Sequence, residues 1–503
     1  MVKILDRTTT YKFSNRILFL LSALGIAVGT GNIWRFPRVV ALSSGNDGAA
    51  SFLIIWLFFL FSWSIPIIVL EYYIGYKYKR SIGGIIYKIA GPNNIWIGLF
   101  VAAVSTFISF YYAVVCSWSI YYLFYFIFNP PPQKVDIAFE IWQNFQNGNL
   151  KYIVHLFIVI LGLLAIRKSV YSIEKLLKFI MPGLFLIVLF IFVRTLFLDG
   201  SSEGMKFLFT IDFKQFKNPE VWLQALTQNA WDTGAGWGLF ILYAAHLKSK
   251  HRMYQNAFIT GILNNLVSLI MAITIFGLTF SILYLQSNFS KSEVIDIMKS
   301  SGPASTGLTF IWLPMLFNKI YGGKIINILF FIGLAFAGFS SLISMYEQAI
   351  RSFIDLGFKR KNIIPIFFVL AYFLGLIAVR NINFLNNQDF VWGIGLIISG
   401  LIIIYYAVKA KIIKDISSQV NNKLIKTLSK LIIKYFISSL SIVLLLWWLI
   451  ISITKLDSQN WFNPFSTYSL TTCILQWFFV GFLLFLFNKL YIKLSNINKQ
   501  IIN

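Results

Sequence analysis

Two glycine-rich stretches interrupt long apolar segments of this chain, roughly 200 residues apart. The first is GIAVGTGNIWRFP at residues 25–37, and the second is WDTGAGWG at residues 231–238. A helix that crosses a bilayer normally pairs all its backbone N–H and C=O groups internally, because lipid offers them no partners. A break at membrane depth is tolerated only where the freed groups line a cavity or hold an ion. Two such breaks in corresponding halves of a chain therefore predict a central binding site, as in secondary transporters.

The remainder of the chain is apolar enough to cross a membrane many times. Of its 503 residues, 58% are hydrophobic and only 12% are charged, which is too little polar surface for a soluble protein of this length. Runs of about 20 apolar residues, each able to span ~30 Å of hydrocarbon, recur throughout and predict an all-α polytopic membrane protein. About twelve spans are predicted, at residues 16–40, 51–76, 93–128, 151–167, 175–198, 221–247, 256–286, 323–354, 362–379, 389–409, 432–454 and 468–490.

The basic residues that give the chain its net charge of +25 are concentrated in alternate loops. Basic residues follow alternate spans, as at Lys77 and Lys79 after the second span and Arg360 after the eighth, whereas the loops at 129–150 and 455–467 carry few. This positive-inside distribution predicts a multi-pass protein of the plasma (inner) membrane with both termini in the cytoplasm. We therefore expect the charge to orient the protein in the lipid bilayer and not to bind nucleic acid.

Catalytic and metal-binding motifs are not apparent in the sequence. Cys116 and Cys473 fall inside predicted spans and are expected to pack as small apolar residues. His155, His246 and His251 are too scattered for a metal site, and neither a nucleophile elbow nor a Walker loop occurs. We expect a protein that is not an enzyme, has no organic cofactor, and draws any uphill work from an ion gradient.

The order of the spans predicts two similar five-helix units, each opening with its broken helix. Such repeats are commonly inverted about an axis in the membrane plane, which brings both breaks together at the midplane. The expected segments are a cytoplasmic tail at 1–15, repeats at 16–198 and 221–409, and two additional transmembrane helices at 432–490.

The first break has two interpretations. Gly25 and Gly29 have the GxxxG spacing of a helix-packing face. The third glycine, Gly31, and the polar Asn32 favour an unwound segment whose carbonyl oxygens coordinate a cation such as Na⁺. Arg35 lies within the same span, where an isolated charge is costly, so we expect it to face an aqueous path and to have a partner.

The second break contains a carboxylate in the middle of a span. Asp232 follows Trp231 and precedes three alternate glycines. Burying this charge unpaired would cost several kcal/mol, so it indicates either a functional site or a structural ion pair. Because no Lys or Arg lies nearby in the sequence, a bound cation is the favoured partner.

Polar groups in the eighth span have simpler explanations. Glu347 and Arg351 are spaced i, i+4, which predicts an ion pair along one helix. Ser340 and Ser341 follow small residues, a pattern that on its own is more typical of close helix packing than of ion coordination.

These motifs together resemble the neurotransmitter:sodium symporter family, and the resemblance extends over nearly the whole chain. It implies a 5+5 inverted repeat with broken first and sixth helices, and transport of a small substrate together with sodium. The stretches that carry it are GIAVGTGNIWRFP, Tyr111–Tyr112, WDTGAGWG, AFAGFSS at 335–341 and QDFVWG at 388–393.

The resemblance implies two sodium sites. The first would comprise Ala27, Asn32, Asp232 and Asn264. The second would comprise Gly25, Val28, Ala337, Ser340 and Ser341. The family usually has Thr or Ser at the position of Asp232, so the first site departs from the pattern.

The resemblance also implies a substrate pocket and two gates. The pocket would comprise Ile26, Ala27, Thr30, Gly31, Tyr112, Trp231, Gly234, Trp237, Ser341 and Met345. In it Tyr112 would donate a hydrogen bond to a substrate carboxylate, and Trp231 would form an aromatic lid. Arg35 and Asp389 would form the outer gate. Asp355 matches the inner-gate acid, but Thr10 stands at the position of its arginine, which Arg7 or Lys12 would have to replace.

Charge balance at the sodium sites predicts independence from chloride. Two Na⁺ ions in a low-dielectric pocket need compensating negative charge. Family members supply it as Cl⁻ or as an acid on the seventh span, where this chain has Ser268 and so resembles the chloride-dependent type. Trp56 occupies the place of a chloride-ligating tyrosine, and Asp232 already provides a carboxylate beside the first sodium site.

The function expected from sequence is sodium-coupled uptake of a small amino acid by alternating access. One alternative substrate is a small amine or betaine-like cation, with Trp231 and Trp237 stacking on it and Asp232 as its counter-ion. A channel or a non-transporting sensor of the same fold is the other alternative. The expected partners are a small-molecule substrate, Na⁺ and the lipid bilayer.

Overall fold

The computed structural model describes residues 11–248, 252–299, 307–417 and 431–502. Every regular element within these ranges is helical, which confirms the all-α class. The helices that build the membrane domain are α1 (Arg16–Ala27), α2 (Gly31–Leu42), α3 (Ala50–Tyr78), α4 (Pro92–Phe128), α5 (Val135–Asn147), α6 (Leu150–Ala165), α7 (Val170–Leu196), α8 (Pro219–Asp232), α9 (Leu239–Ala244), α10 (Met253–Gln286), α11 (Leu308–Asn318), α12 (Gly323–Ile354), α13 (Arg360–Arg380), α14 (Ile382–Lys409), α15 (Lys434–Leu456) and α16 (Leu470–Lys493). Short helices at Ile82–Ala90, Ser201–Phe209, Lys291–Lys299 and Ile412–Ser417 lie between them.

Within the described ranges, nine helices are long and apolar enough to cross a membrane singly. The number rises to eleven when two bent pairs, α1 with α2 at 55° and α5 with α6 at 73°, are each taken as one span. The predicted span 221–247 is not among them, because it consists of α8 and α9 with a six-residue break at 233–238 and neither helix is long enough alone. The predicted loop at 129–150 contains α5, an amphipathic helix with its apolar side buried.

Burial separates central helices from peripheral ones. In α4, 83% of the most apolar 18-residue segment is buried, against 33% in α7 and α13 and 22% in α16. A helix that is apolar on all sides needs either protein or lipid around it. The exposed faces of the peripheral helices are thus suited to lipid, while α4 packs against α12 and α14 beside both breaks.

The predicted ion pair between Glu347 and Arg351 is wrong. The buried Glu347 carboxylate accepts hydrogen bonds from both terminal nitrogens of Arg360 on α13, at 3.0 and 2.6 Å, and from Ser169 at 2.5 Å. Arg351 instead pairs with Asp355 at 2.9 Å. A buried carboxylate gains more from a two-pronged guanidinium contact than from a partner along its own helix, and only the packing of α13 on α12 makes that contact available.

Candidate functional site

The first break separates α1 from α2. Val28 is extended there, with φ −78° and ψ 93°. The N–H of Gly29 donates to Oδ1 of Asn32 at 2.9 Å, and the N–H of Thr30 donates to the Tyr112 hydroxyl at 3.0 Å. Side chains therefore satisfy the freed donors of the break.

Three left-handed glycines form the second break, between α8 and α9. Gly234, Gly236 and Gly238 have φ values of 69°, 84° and 77°, which residues with a Cβ rarely adopt. Glu71 of α3 accepts from the N–H of Gly236 at 2.7 Å, from Gly238 at 3.4 Å and from Phe240 at 3.2 Å. No role for Glu71 was predicted from the sequence, although a carboxylate in the middle of a span was the available signal.

Three oxygens converge where α10 meets both breaks. Oδ1 of Asn264 lies 3.0 Å from the carbonyl oxygens of Ala27 and Asp232 and accepts from Nδ2 of Asn32 at 2.9 Å. Such oxygens repel one another unless a cation lies among them or the Asn264 amide turns to donate. The turned amide would set its NH₂ against that of Asn32, and its oxygen 3.0 Å from Oδ1 of Asn265. The present orientation suits a cation that prefers oxygen ligands.

The side chains of Asn32 and Asp232 lie beside this point, but their oxygens accept hydrogen bonds from other groups. The oxygen of Asn32 is directed to Gly29, and its NH₂ donates to Asn264 and to Ser268 at 2.8 Å. The carboxylate of Asp232 is buried, and it accepts from Nε2 of Gln228 at 2.7 Å and from Oγ of Ser268 at 3.3 Å. Among the residues described, no Lys or Arg forms an ion pair with Asp232.

A second group of oxygens lies between α1 and α12. Oγ of Ser341 is 3.3 Å from the carbonyl oxygen of Gly25, 3.2 Å from that of Ile26 and 3.4 Å from that of Ala337. One hydroxyl hydrogen cannot satisfy three carbonyl oxygens, and all three contacts are long for hydrogen bonds. Ser340 donates to Ala337 at 2.9 Å beside them. This cluster is also suited to a cation with hard-oxygen preference.

A cavity of about 550 Å³ extends from these oxygens toward the loops. Nine of the ten predicted substrate residues line it, namely Ile26, Ala27, Thr30, Gly31, Tyr112, Trp231, Trp237, Ser341 and Met345. The tenth, Gly234, packs behind the wall, where an added Cβ would lie 3.0 Å from Ile26.

The predicted outer-gate residues meet across this cavity. The Arg35 guanidinium lies 3.8 Å from Oδ2 of Asp389, and its carbon is 4.7 Å from the centre of the Trp231 ring. Tyr111 donates to the other oxygen of Asp389 at 3.1 Å. Trp231 in turn meets Trp237 edge to face, with centroids 5.5 Å apart. The Arg35–Asp389 pair and the Trp231 ring together narrow the path to the inner part of this cavity.

On the opposite side, the predicted inner-gate acid is already paired. Asp355 accepts from the backbone N–H of Ser81 at 2.6 Å and pairs with Arg351. Thr10 and Arg7 lie outside the described residues, and Lys12 is exposed. Arg351, which was predicted from the sequence to pair with Glu347, therefore contacts Asp355 instead.

The first described residues of the chain pack over this side of the protein. The Tyr11 hydroxyl donates to Glu174 at 2.6 Å, and the backbone oxygen of Tyr11 lies 2.8 Å from Nδ1 of His246. Burial and the bond to Glu174 raise the pKa of Tyr11 to about 12. The segment thus joins α7 to the end of the second broken helix.

Comparison with known sequences gives consistent matches along the chain. A model of the sodium:neurotransmitter symporter family matches residues 10–136 and 134–496. An uncharacterised sodium-dependent transporter of Methanocaldococcus jannaschii is 28% identical over 72% of this chain and 73% of its own length. The sodium- and chloride-dependent taurine transporter of Rattus norvegicus is 28% identical over 73% of this chain, but the match spans only 65% of that relative.

Among solved structures, the chain resembles MhsT in complex with L-phenylalanine. The TM-score is 0.73 and the identity 26%, and the match covers 87% of this chain and 99% of that one. The two broken helices and the all-helical membrane fold therefore agree with a known architecture.

Proposed function

The chain belongs to the sodium:neurotransmitter symporter family, and on that premise we propose that it carries a small amino acid with two Na⁺ ions, independently of chloride. The observation that supports this proposal best is the cavity itself. It lies between two broken helices and ends at two groups of oxygens that are suited to a cation. The first group includes Ala27, Asp232 and Asn264 of the first predicted sodium site, and the second includes Gly25, Ala337 and Ser341 of the second.

The substrate carboxylate would bind at the first break. Both the N–H and the hydroxyl of Thr30 donate to the Tyr112 oxygen at 3.0 Å, so the hydrogen of Tyr112 is available to an acceptor in the cavity. Gly29 keeps this space open, because a Cβ there would lie 2.9 Å from the Tyr112 hydroxyl. MhsT, the structural relative, is seen with the amino acid L-phenylalanine.

Asp232 would supply the charge that chloride provides elsewhere. Its carboxylate is fixed by Gln228 and Ser268, while its own carbonyl oxygen faces the first cation position. One residue would thus provide a sodium ligand and a compensating negative charge nearby. The taurine relative, in contrast, is named as chloride-dependent.

Transport would proceed by alternating access. Na⁺ would stabilise the state in which the cavity opens outward, and substrate would then allow Trp231, Arg35 and Asp389 to close over it. With both termini cytoplasmic, inward movement of Na⁺ supplies ~2.3 kcal/mol per charge per 100 mV. Release would require separation of the contacts that Tyr11 makes with Glu174 and His246.

An amine substrate is the second candidate, because Asp232 and the two tryptophans line the same cavity. In that case the carboxylate would leave Gln228 and Ser268 to pair with the amine. Substitution of Asp232 by Asn would then abolish amine binding at every Na⁺ concentration. For an amino-acid substrate, the same change would raise the Na⁺ concentration required and leave saturable binding.

The test is uptake by the purified protein in liposomes, screened over the common amino acids. We expect uptake with Na⁺ outside and none with choline, and no loss when gluconate replaces chloride. Ser341→Ala should raise the Na⁺ concentration for half-maximal uptake. The matched control is Ser352→Ala, since Ser352 lies on the same helix and its hydroxyl donates to the backbone oxygen of Gln348. Uptake that needs no Na⁺ would refute the coupling, and uptake lost in gluconate would refute the role of Asp232.

A further inference from the structure

A second guanidinium lines the cavity outside the gate. Arg38 lies on α2, one helical turn beyond Arg35, and borders the cavity together with Asn218 and Tyr468. Its Nε is buried and has no hydrogen-bond partner. No other hydrogen bond or ion pair of Arg38 is formed within the ranges that the structure describes.

The carboxylates near Arg38 are already engaged. One oxygen of Asp389 accepts from Tyr111 and the other faces Arg35 at 3.8 Å. Farther out, Glu220 forms an ion pair with Lys455.

In the described outer part of the cavity, three cations therefore share two carboxylates. The cations are Arg35, Arg38 and Lys455, and the carboxylates are Asp389 and Glu220. The third carboxylate of the lining, Asp232, is turned to Gln228 and Ser268. One positive charge, that of Arg38, is left without a hydrogen bond or an ion pair among the described residues. A half-buried guanidinium gains from an anion, and its planar fork matches the two oxygens of a carboxylate.

We propose that Arg38 binds the carboxylate of the incoming amino acid before it passes Arg35 and Trp231. This step rests on the proposed function, because it takes an amino acid as the substrate. The same cation would also attract chloride, which is the other source of a small anion. The two differ in shape, since a carboxylate can accept two parallel hydrogen bonds and chloride cannot.

Arg38 is expected to act on the rate of association. The final site would lie beyond the gate, where Tyr112 would donate to the carboxylate, so Arg38 contributes to an intermediate on the path. A cation in a low-dielectric cleft raises association rates by roughly 10-fold or more at low ionic strength. Removal of Arg38 should slow association and dissociation alike and leave the dissociation constant nearly unchanged.

The experiment measures binding kinetics of a transported, radiolabelled amino acid to the full-length protein in nanodiscs with saturating Na⁺. Arg38→Gln should slow association about tenfold at low salt, with an unchanged thermal midpoint. Lys455→Gln is the charge-matched control, because it removes one positive charge from the same cavity but from a paired side chain. Equal slowing in both variants would show a general field effect and overturn the proposal, as would no slowing in Arg38→Gln.

Competition separates the two anion sources. Millimolar acetate should slow association in the unmutated protein and have no effect on Arg38→Gln, whereas chloride at equal ionic strength should compete far less. Equal competition by chloride and acetate would overturn the carboxylate assignment. Failure of the proposed function looks different, because the unmutated protein would then bind no amino acid in a Na⁺-dependent way.

Discussion

Replacing Glu71 with Gln tests whether a carboxylate holds the second break in shape. The two oxygens of Glu71 accept from Gly236 at 2.7 Å, Gly238 at 3.4 Å and Phe240 at 3.2 Å. Gln has nearly the same size, but one of its terminal groups is an NH₂ donor. The three N–H donors approach both terminal oxygens of Glu71. Gln therefore leaves at least one of these N–H groups facing its own NH₂ group.

The size of the effect follows from these contacts. If the amide oxygen stays with Gly236 and Gly238, the NH₂ faces the buried N–H of Phe240, which costs ~1–3 kcal/mol as an unsatisfied donor. Loss of the negative charge weakens the short bond to Gly236 by about 1 kcal/mol more. We therefore expect Glu71→Gln to lower the free energy of unfolding by about 2–4 kcal/mol.

Unfolding in mixed micelles, titrated with sodium dodecyl sulfate and followed by tryptophan fluorescence, measures this difference. The control is Glu203→Gln, because Glu203 is half-exposed and pairs with Lys291 at 3.2 Å. An exposed pair of this kind contributes ~0–1 kcal/mol. If Glu71→Gln unfolds no more easily than Glu203→Gln, the carboxylate does not support the break and the reasoning fails.

Three further predictions concern the gate, the pocket and the lysine that follows α3. Arg35→Ala and Asp389→Ala should each impair uptake, with a coupling of about 0.5–1 kcal/mol in a double-mutant cycle, and full additivity would show that they do not interact. Gly29→Ala should weaken substrate binding about tenfold or more in equilibrium assays, because its Cβ would lie 2.9 Å from the Tyr112 hydroxyl. The control is Gly481→Ala, whose Cβ meets open space and which should bind substrate normally. Equal affinity in the two variants would contradict the prediction. Burial lowers the pKa of Lys79 from 10.5 to about 8, so the unfolded chain binds more protons between these values and stability should rise with pH across them. Thermal midpoints from pH 7.5 to 10 should show this rise, and an equal rise in Lys79→Gln would exclude Lys79 as its source.

Local patterns in the sequence predicted most of the membrane helices and both breaks. Apolar length predicted most of the spans, and the glycines of WDTGAGWG predicted the break observed between α8 and α9. The resemblance predicted ten substrate residues, and all of them except Gly234 line the cavity. Whether these residues bind sodium and substrate stays a prediction.

The partners of buried charges were decided by the tertiary structure. The sequence paired Glu347 with Arg351, whereas the fold pairs Glu347 with Arg360 and Arg351 with Asp355. The hydrogen bonds of Glu71 likewise depend on the packing of α3 against the second break. Spacing along one helix fixes which side chains share a face, but a charge takes the best partner that any neighbouring helix brings within reach. The sequence by itself therefore determined where this chain crosses the membrane and where it breaks, and the packing of the helices determined which charges meet.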